Sequence, residues 1–141
     1  MTKPQAKWDE TRHTLGLDEM DVAHREFIEQ VAALIAASDA EFPPLFQTLV
    51  NHTRAHFVAE GQLMRAVQYQ GLGVHEGEHH RMLGELQQLN RSLMRGRLPL
   101  VRAFVKHGLP EWFDNHLFLM DSALVSQISD YSTAAGPHRL F

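Results

Sequence analysis

Histidines and carboxylates recur at four-residue intervals inside stretches that carry the apolar period of a helix: His56 with Glu60, and His75 with His79. Residues four apart lie one above the other on a helix face, so each pair can aim two ligand atoms at one region. His24 adds a third position, three residues before Phe27 and four before Ile28, and therefore on the same stripe as those apolar side chains. His116 and Asp121 add a fourth, although a step of five leaves them roughly 140° apart around an ideal helix. Five histidines and two acidic residues spread over four helices can enclose two metal ions in a bundle core, a known place for sites built from facing side chains.

The helices themselves are legible from periodicity and breakers. The spacing of Phe27, Val31, Leu34 and Ile35 predicts a first helix from about Met20 to Ser38, with Asp18 or Asp21 as its N-cap. Glu41-Phe-Pro-Pro44 interrupts the pattern, and a second helix is expected from Pro44 to Val67. After a glycine-containing loop over Tyr69 to Gly73, the stripe Met82, Leu83, Leu86, Leu89 and Leu93 predicts a third helix from Val74 to Met94. Leu100 to His107 is helical in pattern, Gly108-Leu109-Pro110 should break or kink the chain, and a further helix should run from Pro110 to about Ile128. Short connections favour an all-α, up-down-up-down four-helix bundle over 19–130, preceded by an N-terminal arm over 1–18 and followed by a tail over 131–141.

Composition narrows the chemistry further. The 141 residues fit one domain able to bury its own core, with 44% hydrophobic and 21% charged residues. A formal net charge of -4 gives no broad positive field for nucleic acid. Cysteine is absent, so any metal must be held by nitrogen and oxygen, and the composition suits a reducing compartment. No apolar run approaches the length of a signal core or a membrane span, so a cytoplasmic protein without membrane contact is expected. Ten histidines in so short a chain is an excess that asks for a cause, and imidazole suits borderline metals. Taken singly, each element has a plainer reading: His24 as a hydrogen-bonded core residue, His56 with Glu60 and His75 with His79 as solvated pairs, His116 with Asp121 as structural. The joint contribution of four helices favours the metal reading.

The segment His56-Phe-Val-Ala-Glu60, then His75-Glu-Gly-Glu-His79, then Trp112-Phe-Asp-Asn-His116 with Asp121 resembles the hemerythrin family, most of all its single-domain bacterial members. The run Trp8-Asp-Glu followed by Leu15-Gly-Leu-Asp-Glu-Met-Asp-Val-Ala-His24 is similar to the family's opening arm and first ligand helix, so the resemblance covers roughly Trp8 to Ile128. It implies two iron ions in an oxo- or hydroxo-bridged centre, with His75, His79 and His116 on one iron, His24 and His56 on the other, and Glu60 and Asp121 bridging. It also implies reversible binding of O2 as a hydroperoxide at the one open iron position, for storage, delivery or sensing, without turnover. Phe113, Leu117, Trp112, Phe27 and Ile28 are the side chains expected to wall a dry O2 pocket.

Several positions depart from the family pattern. Gly61 stands where relatives usually carry a second acidic residue, at a cost of about 1 kcal/mol relative to alanine inside a helix. His52 replaces a frequent tyrosine and is either a hydrogen-bond partner of the site or a surface histidine, and Pro110 is expected to shift the last helix. His13, His80, His107 and His138 match no ligand position and are expected to face solvent.

A ferritin-like carboxylate bundle needs Glu-x-x-His on two helices. Glu76 to His79 and Glu10 to His13 fit that pattern, but the latter lies in the arm. Seven ligands with two acidic bridges exceed a tetrahedral zinc site. The functional alternatives are a di-iron enzyme acting on peroxide or nitric oxide, an iron-handling protein, or a metal-free interaction module. No protein partner is legible, and a monomer is the working expectation.

Overall fold

The structure, a computed structural model, describes residues 6–135, with side chains through 130. Residues 136–141 of the expected tail, His138 among them, lie outside the described residues, as do residues 1–5 of the arm. A short helix α1 (Glu10–His13) precedes three long helices, α2 (Asp18–Ala36), α3 (Phe42–Ala66) and α4 (Leu72–Met94). The fourth long rod is continuous from 98 to 135. It comprises α5 (Leu98–Ala103), a π-turn over Phe104–Gly108, α6 (Leu109–His116), a second π-turn over Leu117–Asp121, and α7 (Ser122–Ala135). Each long helix packs on the next, and α2 meets the Phe104–Gly108 turn to close the bundle. Among the described residues there is no strand, and no helix is long and apolar enough to cross a membrane.

Local chemistry sets the helix ends. The N-cap of α2 is Leu17, not Asp18 or Asp21. Asp21 instead accepts from the preceding backbone, taking the N–H groups of Leu15 at 2.8 Å and Gly16 at 3.1 Å, and so ties the arm to the first turn of α2. Ser38 and Glu41 form a capping box ahead of α3: the Ser38 N–H donates to the Glu41 carboxylate and the Glu41 N–H donates to the Ser38 hydroxyl. Both prolines of the Pro43-Pro44 pair then fall in the first turn, where their missing N–H is harmless. α4 ends in a Schellman motif, with Arg97 N–H bonded to the Ser92 carbonyl, Gly96 N–H to that of Leu93, and Gly96 at φ 81°.

The expected break at Gly108-Leu109-Pro110 does not occur. The wider turn absorbs it, with the Leu109 N–H reaching the Phe104 carbonyl five residues back, so that Pro110 enters a fresh first turn of α6. Glycine at 108 has a steric reason, since a Cβ there would stand 2.9 Å from the Phe104 ring. The last helix also runs past Ile128 to Ala135.

The core divides into two apolar layers. The larger gathers Phe27, Val31, Leu34, Phe46, Leu86, Val105 and Phe113, with Trp8 of the arm packed against it. The smaller gathers Met20, Leu63, Met64, Leu124 and Ile128. Along α2 the sequence passes from one layer to the other through His24, along α3 through Glu60, and along the last rod through Asp121, so a polar layer lies between the two. Ile35, expected on the buried stripe, is 39% exposed.

His13 overturns its expected place on the surface. It is 1% exposed, its Nδ1 accepts the Asp9 N–H at 2.9 Å, and its Nε2 lies 3.2 Å from the Asp114 carboxylate, which Arg12 also reaches. Since Nδ1 is an acceptor, the ring proton sits on Nε2 and donates to Asp114. The pair pins the arm to α6, whereas His80 and His107 are exposed as expected. His13→Ala should therefore destabilise the protein by about 1–3 kcal/mol in a denaturant titration, because it leaves buried polar partners unmet. His107→Ala should change stability by less than about 0.5 kcal/mol.

Candidate metal centre

The structure brings all seven predicted ligand residues into the polar layer. Nitrogen and oxygen atoms of Glu60, His75, His79, His116 and Asp121 lie within 4.8 Å of one another, as do those of His24, His56 and Glu60. Glu60 belongs to both groups, and Asp121 reaches the second through an approach of 3.2 Å to the Nε2 of His24. Two carboxylates thus lie between a three-histidine set and a two-histidine set.

The second π-turn explains how His116 and Asp121 share a face. A π-turn takes one extra residue into the helix, so that a five-residue step does there what a four-residue step does in an α-helix, and the Ser122 N–H bonds to the Leu117 carbonyl five residues back. The Asp121 carboxylate consequently lies 3.2 Å from His116 Nε2. The spacing that an ideal α-helix could not accommodate is the spacing this turn requires.

The donor atoms converge on shared space more than on each other. His75 Nε2 lies 2.7 Å from Glu60 and 3.1 Å from Asp121. Yet His75 Nε2, both Glu60 oxygens, Asp121 Oδ1 and both His24 nitrogens are buried without a directional hydrogen bond. Buried polar groups in native proteins are almost all satisfied, and orphaned donor atoms of metal-ligand types facing one another are what cations would satisfy. The residues present therefore fit a nitrogen- and oxygen-ligated metal pair.

The electrostatics divide the histidines. Burial opposes a charge on His75, but the Asp121 and Glu60 carboxylates outweigh it and carry that imidazole up to about 9. Burial, reinforced by the neighbouring His116 and His75, pushes His79 down to about 2, which keeps it neutral as a ligand must be. Burial also works against charge on His56, and Glu60 overcomes it, so His56 is raised. Asp121 is held well below the usual carboxylate range because contacts with His116, His24 and His75 override its burial.

Aromatic neighbours fix the ring planes. Phe57 stacks on His79 at 3.8 Å and Trp112 on His116 at 4.7 Å. Trp112 is itself anchored through its indole N–H to Glu78, at 2.8 Å, and Arg81 holds Glu78 in turn. Gly61 leaves room for the ion pair of Arg65 with Glu76 that crosses from α3 to α4, since a Cβ would lie 2.7 Å from the Glu76 carboxylate.

Beside the two-histidine side lies a cavity of about 20 Å³, lined by His24, Phe27, His52, Thr53, His56, Phe57, Trp112, Phe113, His116 and Asp121. It has room for a single water-sized molecule. Of the five side chains named for a pocket wall, Phe27, Trp112 and Phe113 line this cavity, Ile28 borders a separate small cavity under the arm and Leu117 is buried in the core away from the lining. Thr53 and Phe57 were missed, although the signal was there: they lie seven and three residues before Glu60 and therefore on its helix face, where both are buried. His52 bonds to Glu26 at 2.9 Å, so it has a partner as well as a place on the cavity wall. A larger groove of about 410 Å³, bounded by Glu19, Met20, Gln62, Leu63 and Ala66, reaches His56 and Glu60 from the other side.

Comparison with known proteins agrees with this geometry. Residues 15–128 match the family described as the hemerythrin HHE cation binding domain. A curated relative from Ralstonia nicotianae (strain ATCC BAA-1114 / GMI1000), named bacteriohemerythrin, is 31% identical over 126 residues, spanning 89% of this chain and 90% of the relative. Crystal structures of a wild-type hemerythrin and of a leucine-to-alanine variant both superpose with a TM-score of 0.77 at 18% identity. They cover 87% of this chain, with 97% and 96% of their own chains respectively, and carry the likeness of the fold.

Two outcomes follow from the site's construction. Deleting exposed Leu119 should convert the second π-turn to an ordinary α-turn, keep Asp121 on the site and preserve metal content. Deleting exposed Ala123 should dissolve the same turn but carry Asp121 off the site by about 100°, so circular dichroism stays helical while bound metal falls. The second outcome concerns pH. His75, raised to about 9, stabilises the metal-free fold fully below its ordinary 6.5, and that contribution is lost as pH rises through 9. His79 and Asp121, both lowered, contribute stability that is lost as pH falls, beginning below 6.5 for His79 and below 3.8 for Asp121. The melting temperature of the metal-free protein should therefore peak near pH 6.5 and decline on both sides.

Proposed function

This chain belongs to the hemerythrin family, and we propose that it is a non-heme di-iron protein that binds O2 reversibly, for storage, delivery or sensing, without turnover. His75, His79 and His116 would hold one iron, His24 and His56 the other, with Glu60 and Asp121 between them. Bound ferrous ions would supply the electron density that O2 takes up on binding and returns on release. The observation that carries this reading is the small cavity whose lining holds both His24 and His56, the pair that would leave an iron with an open position, along with His116 and Asp121.

The protein's own residues supply the environment. Phe27 and Phe113 stack at 4.9 Å, and Phe113 meets the His24 ring edge-on. With Trp112 they exclude water from one wall of the cavity, which protects a bound oxygen species from hydrolysis. The His13 and Asp114 latch holds the arm over Phe113, whose ring lies 6.2 Å from that of His13. A cysteine-free ligand set suits a reducing cytoplasm.

The runner-up is a di-iron enzyme that reduces a small oxidant such as peroxide or nitric oxide. It draws on the 410 Å³ groove, which reaches the half-buried His56 and leaves that edge of the site approachable by something larger than a diatomic. Absorption spectra of the anaerobically reduced, iron-loaded protein, taken before O2, after O2 and after its removal, separate the two. A visible charge-transfer band that disappears on deoxygenation is expected. Irreversible oxidation, or sustained oxidant consumption beyond the iron content with an electron donor present, would replace the carrier reading with the enzyme.

A further inference from the structure

We propose that Thr53 donates a hydrogen bond to O2 held in the small cavity and thereby slows its release. The inference rests on the O2-binding reading and adds to it a residue outside the ligand set.

A hydroxyl within a helix ordinarily returns its proton to the carbonyl one turn earlier. Among the described residues, Thr48 does so at 3.1 Å from the Pro44 carbonyl, and Ser122 does so to that of Phe118. Thr53 does not. It is 2% exposed, its Oγ1 is buried without any partner, and it lines the cavity. A buried hydroxyl left unsatisfied costs about 1–3 kcal/mol, so an isolated Thr53 would be a standing penalty in the middle of the bundle. An occupant of the cavity removes it.

The wall that Thr53 belongs to is the polar one. His52, the next residue on α3, also lines the cavity, and its Nδ1 is likewise buried without a partner. Its Nε2 meets the Glu26 carboxylate, which is 53% exposed in its side chain and accepts the Nε2 proton. Across the cavity stand the apolar rings of Phe27, Trp112 and Phe113. With its Nε2 proton on Glu26, His52 offers Nδ1 as an acceptor, so the Thr53 hydroxyl is the donor of this wall, and a donor facing aromatic rings favours a diatomic that gains negative charge as it binds. O2 does so on accepting electron density; carbon monoxide gains far less. A threonine hydroxyl always carries its proton, so this contribution needs no titration.

The test compares Thr53→Val, which keeps the shape and removes the hydroxyl, with Thr53→Ser, which keeps the hydroxyl. In the iron-loaded full chain, Thr53→Val should release O2 roughly tenfold faster in stopped-flow measurements, as expected for loss of one hydrogen bond to a charged partner. Its O–O stretch in resonance Raman spectra with isotopic O2 should shift, while Thr53→Ser stays near wild type in both. In the metal-free protein, Thr53→Val should raise the melting temperature, because it deletes an unmet buried hydroxyl. Wild-type release and an unmoved O–O stretch in Thr53→Val would overturn the assignment and leave the carrier reading intact. A lowered metal-free melting temperature would also overturn it, by showing that the hydroxyl has a partner in the protein. Should Thr53→Val fail to load iron, Thr53→Ala is read in its place, and loss of iron from both would make Thr53 structural. A wild-type protein with no O2 band would defeat the functional reading itself, whatever the variants do.

Discussion

Titratable side chains packed between two apolar layers carry a desolvation cost that only convergence on a shared charge can offset. In this bundle seven such residues, six of them buried, occupy one layer across all four long rods. Their protein partners alone do not satisfy them, since imidazole nitrogens and carboxylate oxygens approach one another without hydrogen-bond direction. The apolar layers on either side supply the burial that keeps the rods together while the centre holds this strain. The raised His75 and the lowered His79 are two responses to the same confinement, one to nearby carboxylates and one to burial beside other imidazoles. Cations between the two ligand groups would meet both.

Helix irregularity is the second requirement. Four regular helices could place three of the four ligand positions, but not His116 and Asp121 together. The fourth rod solves this with a π-turn, and the other π-turn, one α-segment earlier, carries Pro110 without a break. Both turns let a single continuous rod cross the site, so the apolar residues after Asp121 still meet Met20 and Leu63 in the smaller layer.

Most of the bundle was legible because burial imposes periodicity. The stripes of α2 and α4 and the four-residue ligand steps on α3 and α4 all follow from 3.6 residues per turn. The same rule made the His116 to Asp121 step look improper and made Gly108-Leu109-Pro110 look like a stop, because breaker signals assume that a helix either continues as α or ends. His13 was misplaced for a different reason. Its partner Asp114 is 101 residues away, and a short arm has no period from which a buried face can be read. Thr53 was passed over because an unsatisfied hydroxyl is visible only when its surroundings are.

On the proposed reading the two ligand groups hold a pair of metal ions sharing Glu60 and Asp121. X-ray absorption on the iron-loaded protein, with iron counted per chain, tests it most directly. Two irons per chain and a short iron–iron scattering vector that is lost in Glu60→Ala are expected. A single iron per chain with no metal–metal vector would contradict it.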